Sequence, residues 1–137
     1  MLCTDGALDE KHKEMISAWV SATNECVYCT DNHAVSFRMA GGSADATHAL
    51  LACDLRSNSI TSEQRALLQF VEKITQDSQA IGPADIAAMC TSGWTDLQIP
   101  ETIHVTALFA SFNRVVNAFD LPSQNLLYAF EEQSANE

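Results

Sequence analysis

Apolar side chains recur at intervals of three and four residues along most of this sequence, which is the spacing of one face of an α-helix. No stretch alternates apolar and polar residues with the period of two that a half-buried strand requires. Glycine and proline, which interrupt helices, number only five and three among 137 residues. The pattern therefore predicts an all-α fold, a bundle of about six helices.

The length of the chain indicates one domain. A chain of 137 residues buries roughly two-thirds of the surface of its unfolded state, which suffices for a single core. We expect one domain over residues 1–137, with frayed ends at about 1–7 and 133–137. The predicted helices cover 8–23, a second segment from the N-cap candidates Thr23 and Asn24 to Gly41–Gly42, then 43–55, 62–75, 83–90, 99–119 and one or two turns within 123–132. The helix over 99–119 is the most apolar and is expected to cross the core.

The charge of the chain is strongly acidic. Eighteen Asp and Glu residues against seven Lys and Arg give a formal net charge of −11. Binding to nucleic acid or to an anionic membrane surface needs a positive field, so neither partner is expected. The sequence shows neither a leader pattern nor an apolar run near the ~18 residues that a membrane span needs. We therefore expect a cytoplasmic protein.

Two of the five cysteines stand three residues apart. The odd number and irregular spacing of the five do not fit a fully paired secreted disulfide framework. Cys53 and Cys90 lie in apolar helical runs and are expected to be small buried residues, whereas Cys3 is expected in a mobile terminus. In a reducing compartment a CxxC pair is typically redox-active or metal-binding, so Cys26 and Cys29 are the pair to explain.

The CxxC pair is predicted at the N-terminus of the second helix, on one face with a histidine. Cys26, Cys29 and His33 are spaced as i, i+3 and i+7, so the three side chains can meet. The free N–H groups and the dipole of a helix N-terminus favour a thiolate, which would lower the thiol pKa from about 8.5. Cys29 is nearer to His33 along the helix, whereas Cys26 is expected to lie nearer to solvent.

Glu14 is the candidate partner of His33. If the first two helices form a hairpin, Glu14 lies on the inner side of the first one and can form a proton relay with the imidazole. A solvated carboxylate is the alternative interpretation of Glu14. A zinc site is the alternative for the whole cluster, because two thiolates, an imidazole and a carboxylate form a plausible tetrahedral set.

Two polar residues interrupt the most apolar helix. Asn113 and Arg114 stand between Phe112 and Val115. An arginine in such a helix is typically an ion-pair donor between helices or subunits. No role is assigned to Asn113.

The pattern Glu14-x11-Cys26-x2-Cys29-x3-His33 resembles the E-x11-CxxC-x3-H signature of alkylhydroperoxidase D-type (AhpD-like) proteins in the carboxymuconolactone decarboxylase superfamily. The resemblance is to the peroxidase-related branch of that superfamily and extends over about residues 8–121. Further similar segments are 67–75, 83–88, 93–96 and 112–115.

The resemblance implies an all-helical, oligomeric thiol peroxidase without a bound organic cofactor. Cys29 matches the cysteine that attacks the hydroperoxide and Cys26 the cysteine that resolves the sulfenic acid. Glu14 and His33 match the proton relay. An external dithiol of lipoyl or thioredoxin type would reduce the resulting disulfide. Decarboxylase or lactonase activity is not expected, because those branches of the superfamily generally lack the cysteine pair.

The sequence departs from the family pattern in two places. Tyr28 stands where the best-studied members have a second histidine, and a phenol with a pKa near 10 moves protons poorly at neutral pH, so turnover is expected to be slow. Many relatives also have helices before the glutamate, whereas thirteen residues precede Glu14. A missing helical layer would expose apolar surface, so we expect a homo-oligomer.

Two functions of other classes remain open at this point. One is a non-catalytic helical assembly module whose CxxC and histidine bind a metal or sense oxidation. The other is a general thiol–disulfide oxidoreductase without specificity for peroxide.

Overall fold

The computed structural model describes residues 6–136, and this part of the chain is entirely helical. It contains seven α-helices and one short 3₁₀ helix and no strand, which confirms the predicted all-α fold. Cys3 and part of the two ends that were expected to fray lie outside the described residues. The helices are α1 (Glu10–Thr23), α2 (Val27–Met39), α3 (Ala44–Leu51), α4 (Ser62–Asp77), α5 (Pro83–Thr91), α6 (Gln98–Ala118) and α7 (Leu126–Ala135), and the 3₁₀ turn is Ser78–Ala80.

Side-chain caps account for several of the helix starts. The hydroxyl of Ser43 accepts the Ala46 N–H at 3.1 Å at the start of α3. Thr61 and Gln64 form a reciprocal capping box at the start of α4. Such caps satisfy N–H groups that have no partner within the helix. They explain why the predicted starts of α3 and α4 agree with the structure.

The predicted start of α2 is wrong. Asn24 is the C-cap of α1, and its N–H donates to the Val20 carbonyl at 2.9 Å. Glu25 then adopts φ 53°, which turns the chain sharply, and Cys26 becomes the N-cap residue of α2. This tight turn makes α1 and α2 a helical hairpin and places both cysteines at the N-terminus of α2, as predicted.

Helix α3 is shorter than the predicted 43–55. It ends at Leu51, and Cys53 adopts φ 49° two residues later. The N–H of Asp54 donates to the carbonyl of Ala49 at 2.9 Å. These turn bonds close the last turn of the helix, so the chain leaves it before the apolar Leu55.

Helix α1 is the centre of the core. It contacts α2, α3, α4 and α6, and four of its large side chains have no exposed surface. Full burial of such a side chain stabilises the fold by about 1.5–3 kcal/mol. The four are Met15, Ile16, Trp19 and Val20.

Helix α6 packs against the core along one side, as expected from the sequence, with buried residues from Ile99 to Asn113. Ile99, Val105 and Phe109 are buried, but one side of the C-terminal half is open to solvent. Within residues 6–136 no element covers this side. We call it the α6 stripe; it consists of Leu108, Phe112, Val115 and Phe119, each between 43 and 75% exposed.

No helix among residues 6–136 combines the length and the apolar character needed to cross a bilayer. This finding agrees with the absence of a long apolar run in the sequence.

A carboxylate of α2 caps the last helix. Asp31 accepts the N–H groups of Leu126 and Leu127, each at 2.9 Å, and the Ser123 hydroxyl at 3.0 Å. Burial opposes ionisation of Asp31, but these hydrogen bonds outweigh it and the pKa lies below the ordinary Asp value. Asp31 therefore attaches α7 to α2.

We expect Asp31→Asn to lower the free energy of unfolding by about 1–2 kcal/mol at pH 7, because the capping charge is lost. The folded-state pKa is depressed, so the wild-type advantage is complete above the unfolded-state value of about 3.9 and is lost as the pH falls through the folded-state pKa. Urea unfolding at pH 7 and at successively lower pH measures both effects. The exposed Asp96→Asn is the control, and an equal loss in both variants would contradict the capping role.

Candidate active site

The hairpin of α1 and α2 brings Glu14 and His33 into direct contact. Oε2 of Glu14 lies 2.7 Å from Nδ1 of His33. Glu14 is only 8% exposed, so its interpretation as a solvated carboxylate is wrong. The predicted contact between the two side chains is confirmed.

Two neighbours fix the orientation of the His33 ring. The Glu14 carboxylate engages Nδ1, and Phe109 of α6 packs edge-on against the ring with the centroids 4.5 Å apart. Because Nδ1 is engaged, Nε2 is the nitrogen left for proton exchange with a molecule in the site. The arrangement suits a general base that receives a proton on Nε2 while the carboxylate stabilises the imidazolium.

A cleft of about 400 Å³ lies beside this pair. Four of the five site residues predicted from the sequence line it together, and the remaining one, Cys26, does not. Part of the wall is apolar and comes from α6. The lining residues are Glu14, Tyr28, Cys29, Asn32, His33, Ser36, Phe109, Phe112 and Val116.

The two cysteines differ in access, in the opposite sense to the expectation from sequence. Cys26 has no exposed surface, whereas Cys29 is 6% exposed and borders the cleft. The N–H of Cys26 donates to the Ser21 carbonyl at 2.9 Å. This hydrogen bond holds Cys26 against the last turn of α1, where it is buried. A small molecule in the cleft therefore meets Cys29 first.

Burial raises the pKa of the Cys29 thiol from its ordinary 9.0 to about 11. A hydrogen bond with Cys26 acts in the same direction, and a hydrogen bond with the side chain of Asn113 acts in the opposite direction without offsetting it. The prediction that the helix N-terminus lowers this pKa is therefore wrong for the reduced pair. Removal from water outweighs the helix dipole, so Cys29 needs a base at neutral pH.

Asn113, for which the sequence predicts no role, lies beside the cysteine pair. It is fully buried on α6, its Nδ2 lies 3.0 Å from the Ser21 hydroxyl, and its Oδ1 accepts Nδ2 of Asn24 at 3.1 Å. The feature of the sequence that could have indicated a role for Asn113 was the presence of an amide side chain in the most apolar helix. Its neighbour Arg114 donates to the Ala110 carbonyl of its own helix and is exposed.

The other described cysteines are not buried as expected. Cys53 is half-buried, with its sulfur 3.8 Å from the Thr23 hydroxyl, and Cys90 is exposed. Neither borders the cleft, whose cysteine is Cys29.

The geometry gives no support to the zinc alternative. Among residues 6–136, no three His, Cys, Asp or Glu side chains form a group that could hold a metal ion. Glu14, the fourth ligand in that alternative, is bonded to His33 instead.

A larger cavity of about 540 Å³ lies on the opposite side of α2. Its walls include Glu25, Val27 and Asp31 but no cysteine or histidine. Asp31 is already engaged by the start of α7. Four of the predicted site residues line the smaller cleft, and none of them lines this larger cavity.

The sequence profile of the carboxymuconolactone decarboxylase family matches residues 1–73, the part of the chain that contains Glu14, both cysteines and His33. No curated protein matches the sequence significantly.

Two crystal structures are similar to this fold over most of the chain. One is described as an alkylhydroperoxidase AhpD core, an uncharacterized peroxidase-related protein from Ralstonia eutropha JMP134. The other is an uncharacterized peroxidase-related protein from Silicibacter sp. TM1040. Each has a TM-score of 0.82 and 29% identity over 89% of this chain. The chain spans 64% of the length of each of these two proteins.

Proposed function

The chain belongs to the carboxymuconolactone decarboxylase family, and from this membership we propose that it is a thiol-dependent alkyl hydroperoxide reductase. The structural neighbours are peroxidase-related proteins, which supports a role of that kind. The observation that carries the proposal is the shared cleft: Cys29 and the Glu14–His33 pair line the same 400 Å³ space.

The first step is removal of the Cys29 proton. With a thiol pKa of about 11, only about one molecule in ten thousand would hold the thiolate at pH 7 without help. His33 accepts the proton, and the Glu14 carboxylate stabilises the imidazolium through its 2.7 Å contact. The relay therefore supplies the nucleophile in this buried site.

The second step transfers oxygen to sulfur. The Cys29 thiolate attacks the distal oxygen of the hydroperoxide, so that an S–O bond forms and the O–O bond breaks. The alkoxide takes the proton from His33 and leaves as an alcohol. Cys29 is then a sulfenic acid, and the hydroperoxide has gained two electrons.

The third step closes the disulfide. The Cys26 thiol gives up its proton and its sulfur attacks the Cys29 sulfur, so that the S–S bond forms while the S–O bond of the sulfenic acid breaks, and the departing hydroxide takes up that proton and leaves as water. The burial of Cys26 supports this order, because it keeps the second sulfur away from the cleft. An external dithiol of lipoyl or thioredoxin type then reduces the disulfide by exchange. The cytoplasm maintains such dithiols in reduced form, so we place the protein there.

Tyr28 also lines the cleft and limits the rate in this proposal. Its phenol can hydrogen-bond to a bound hydroperoxide, but a phenol is a poorer proton carrier than an imidazole. Slow turnover with correct stoichiometry is therefore part of the proposal.

Incubation of the reduced protein with cumene hydroperoxide tests the function. We expect intact mass to fall by about 2 Da, with one disulfide in the peptide that contains Cys26 and Cys29 and one cumyl alcohol per disulfide. If diamide forms this disulfide but hydroperoxides leave both thiols reduced, the protein is a general dithiol protein and the proposal is wrong.

We further propose that the protein is a homo-oligomer that pairs through the α6 stripe. The stripe is apolar, and residues 102–119 contain no acidic residue although the chain has a net charge of −11. Two copies can therefore meet here without bringing carboxylates together. Sedimentation should give a mass above 14.9 kDa for the wild type and the monomer mass for Phe119→Asp. A monomeric wild type at micromolar concentration would contradict this interface.

A further inference from the structure

We propose that Asn32 recognises the hydroperoxide: its side-chain carbonyl oxygen accepts the O–H of the substrate and holds the terminal oxygen beside the Cys29 sulfur. The inference rests on the proposed function, because it concerns how that substrate is held for attack. It makes Asn32 a residue that selects hydroperoxides over thiol oxidants without an O–H group.

Asn32 shares the cleft with the reacting groups. It lines the space of about 400 Å³ together with Cys29 and His33. It follows Cys29 by three residues on α2, and side chains at this spacing are neighbours on a helix surface, about 5–6 Å apart at their Cβ atoms. A small molecule in contact with the sulfur is therefore within reach of the Asn32 side chain.

A hydrogen bond to the backbone fixes the orientation of the Asn32 amide. Its Nδ2 donates to the carbonyl of Tyr28, one turn earlier, at 2.8 Å. A carbonyl oxygen can only accept, so the amide cannot be turned over without setting two acceptors against each other. Oδ1 is therefore the end of the amide that is turned away from this carbonyl.

Oδ1 of Asn32 is an accessible acceptor. No donor among residues 6–136 contacts it, and Asn32 is half-buried. In this part of the chain, the one buried side-chain nitrogen or oxygen without a hydrogen-bond partner is Nε1 of Trp19, so Oδ1 is not sealed in the interior. The Glu14 carboxylate also lines the cleft, but it is engaged by Nδ1 of His33. Asn32 thus offers a bound molecule a fixed acceptor that the relay does not use.

A hydroperoxide presents the group that this acceptor binds. In R–O–O–H the hydrogen is on the terminal oxygen, which is the oxygen that the Cys29 thiolate attacks. When this O–H donates to Oδ1, the other oxygen is left for Nε2 of His33, which gives its proton to the leaving alkoxide. The S–O bond forms as the O–O bond breaks, and the original hydrogen stays on the oxygen of the sulfenic acid. Asn32 neither loses nor gains a proton in this step.

The test compares two oxidants on the reduced, full-length protein. Cumene hydroperoxide carries the O–H, whereas diamide oxidises thiol pairs and has neither an O–H nor an N–H donor. Asn32→Leu keeps the approximate size of the side chain and removes the acceptor. We expect the first-turnover rate constant with cumene hydroperoxide to fall by about five- to tenfold, the scale of one hydrogen bond, and the rate with diamide to stay within about twofold of the wild type.

Asn136→Leu is the matched control. Nδ2 of Asn136 donates to the Glu132 carbonyl four residues earlier, also at 2.8 Å, but Asn136 is exposed at the end of α7 and does not line the cleft. This variant should react with both oxidants as the wild type does. Equal slowing with both oxidants in Asn32→Leu, or a wild-type rate with cumene hydroperoxide, overturns the proposal.

Asn32→Ala is the second variant, and it decides the question if Asn32→Leu does not fold. Alanine suits a helix and also removes the acceptor, so the same selective loss with hydroperoxide is expected. A wild type that reacts with diamide but not with cumene hydroperoxide contradicts the proposed function itself. A wild type that consumes hydroperoxide no faster than the Asn32 variants contradicts only the role of Asn32.

Discussion

We expect Cys29→Ser to abolish hydroperoxide consumption, whereas Cys26→Ser should still consume one equivalent and then stop. A serine hydroxyl is far too weakly acidic and nucleophilic to attack the O–O bond, so the first variant should fall to the rate of the buffer alone. The second variant retains the sulfur that borders the cleft. It lacks only the fully buried partner that would close the disulfide.

Intact mass distinguishes the two variants. Cys26→Ser treated with one equivalent of cumene hydroperoxide should gain about 16 Da as a sulfenic acid that dimedone traps on Cys29. Cys90→Ser, which removes an exposed thiol outside the cleft, is the control and should behave as the wild type. Trapping of sulfenic acid on Cys26 in a Cys29→Ser protein would mean that the two roles are exchanged.

Glu14→Gln should slow the reaction with hydroperoxide by about a hundredfold at pH 7, because general acid–base catalysis by a positioned pair is typically worth 10²–10⁴. The amide retains the shape and a hydrogen bond to His33 but cannot stabilise the imidazolium. The difference in rate between Glu14→Gln and the wild type should become smaller as the pH rises towards the Cys29 pKa of about 11, because hydroxide then removes the thiol proton without the relay. Stopped-flow measurement of the first turnover between pH 6 and pH 10 tests both effects.

Glu10→Gln provides the comparison for Glu14→Gln. Glu10 begins α1, one turn before Glu14, and is exposed. Its loss removes the same charge from the same helix without changing the environment of His33. If both variants slow the first turnover equally, the effect comes from the loss of one negative charge on α1, and the contact between Glu14 and His33 is not needed for the reaction.

The part of the site that follows from local spacing could be predicted from the sequence. The intervals between Cys26, Cys29 and His33 place them on one helix, and the position of Glu14 on the inner face of α1 requires only a helical hairpin. Helix starts with a polar cap residue, such as Ser43 and Thr61, could also be predicted from the sequence, because the capping hydrogen bond joins residues three positions apart.

The properties that depend on distant packing could not be predicted. The positive φ of Glu25 gives no compositional signal, because the left-handed region is ordinarily occupied by glycine or asparagine, and it moved the start of α2. The raised pKa of Cys29 arises from burial beneath other helices, which a local dipole argument does not include. Asn113 contacts Ser21 and Asn24 from about ninety residues away.

Helix α6 contributes both to the candidate active site and to the exposed apolar surface. Its inner side places Phe109 against the His33 ring and Asn113 beside Cys29, while its outer side presents the α6 stripe. Phe112 belongs to both sides, since it lines the cleft and is 47% exposed. The helix is continuous over its 21 residues. A contact on its outer side that displaces α6 therefore also changes the packing around the His33 imidazole and the Cys29 sulfur.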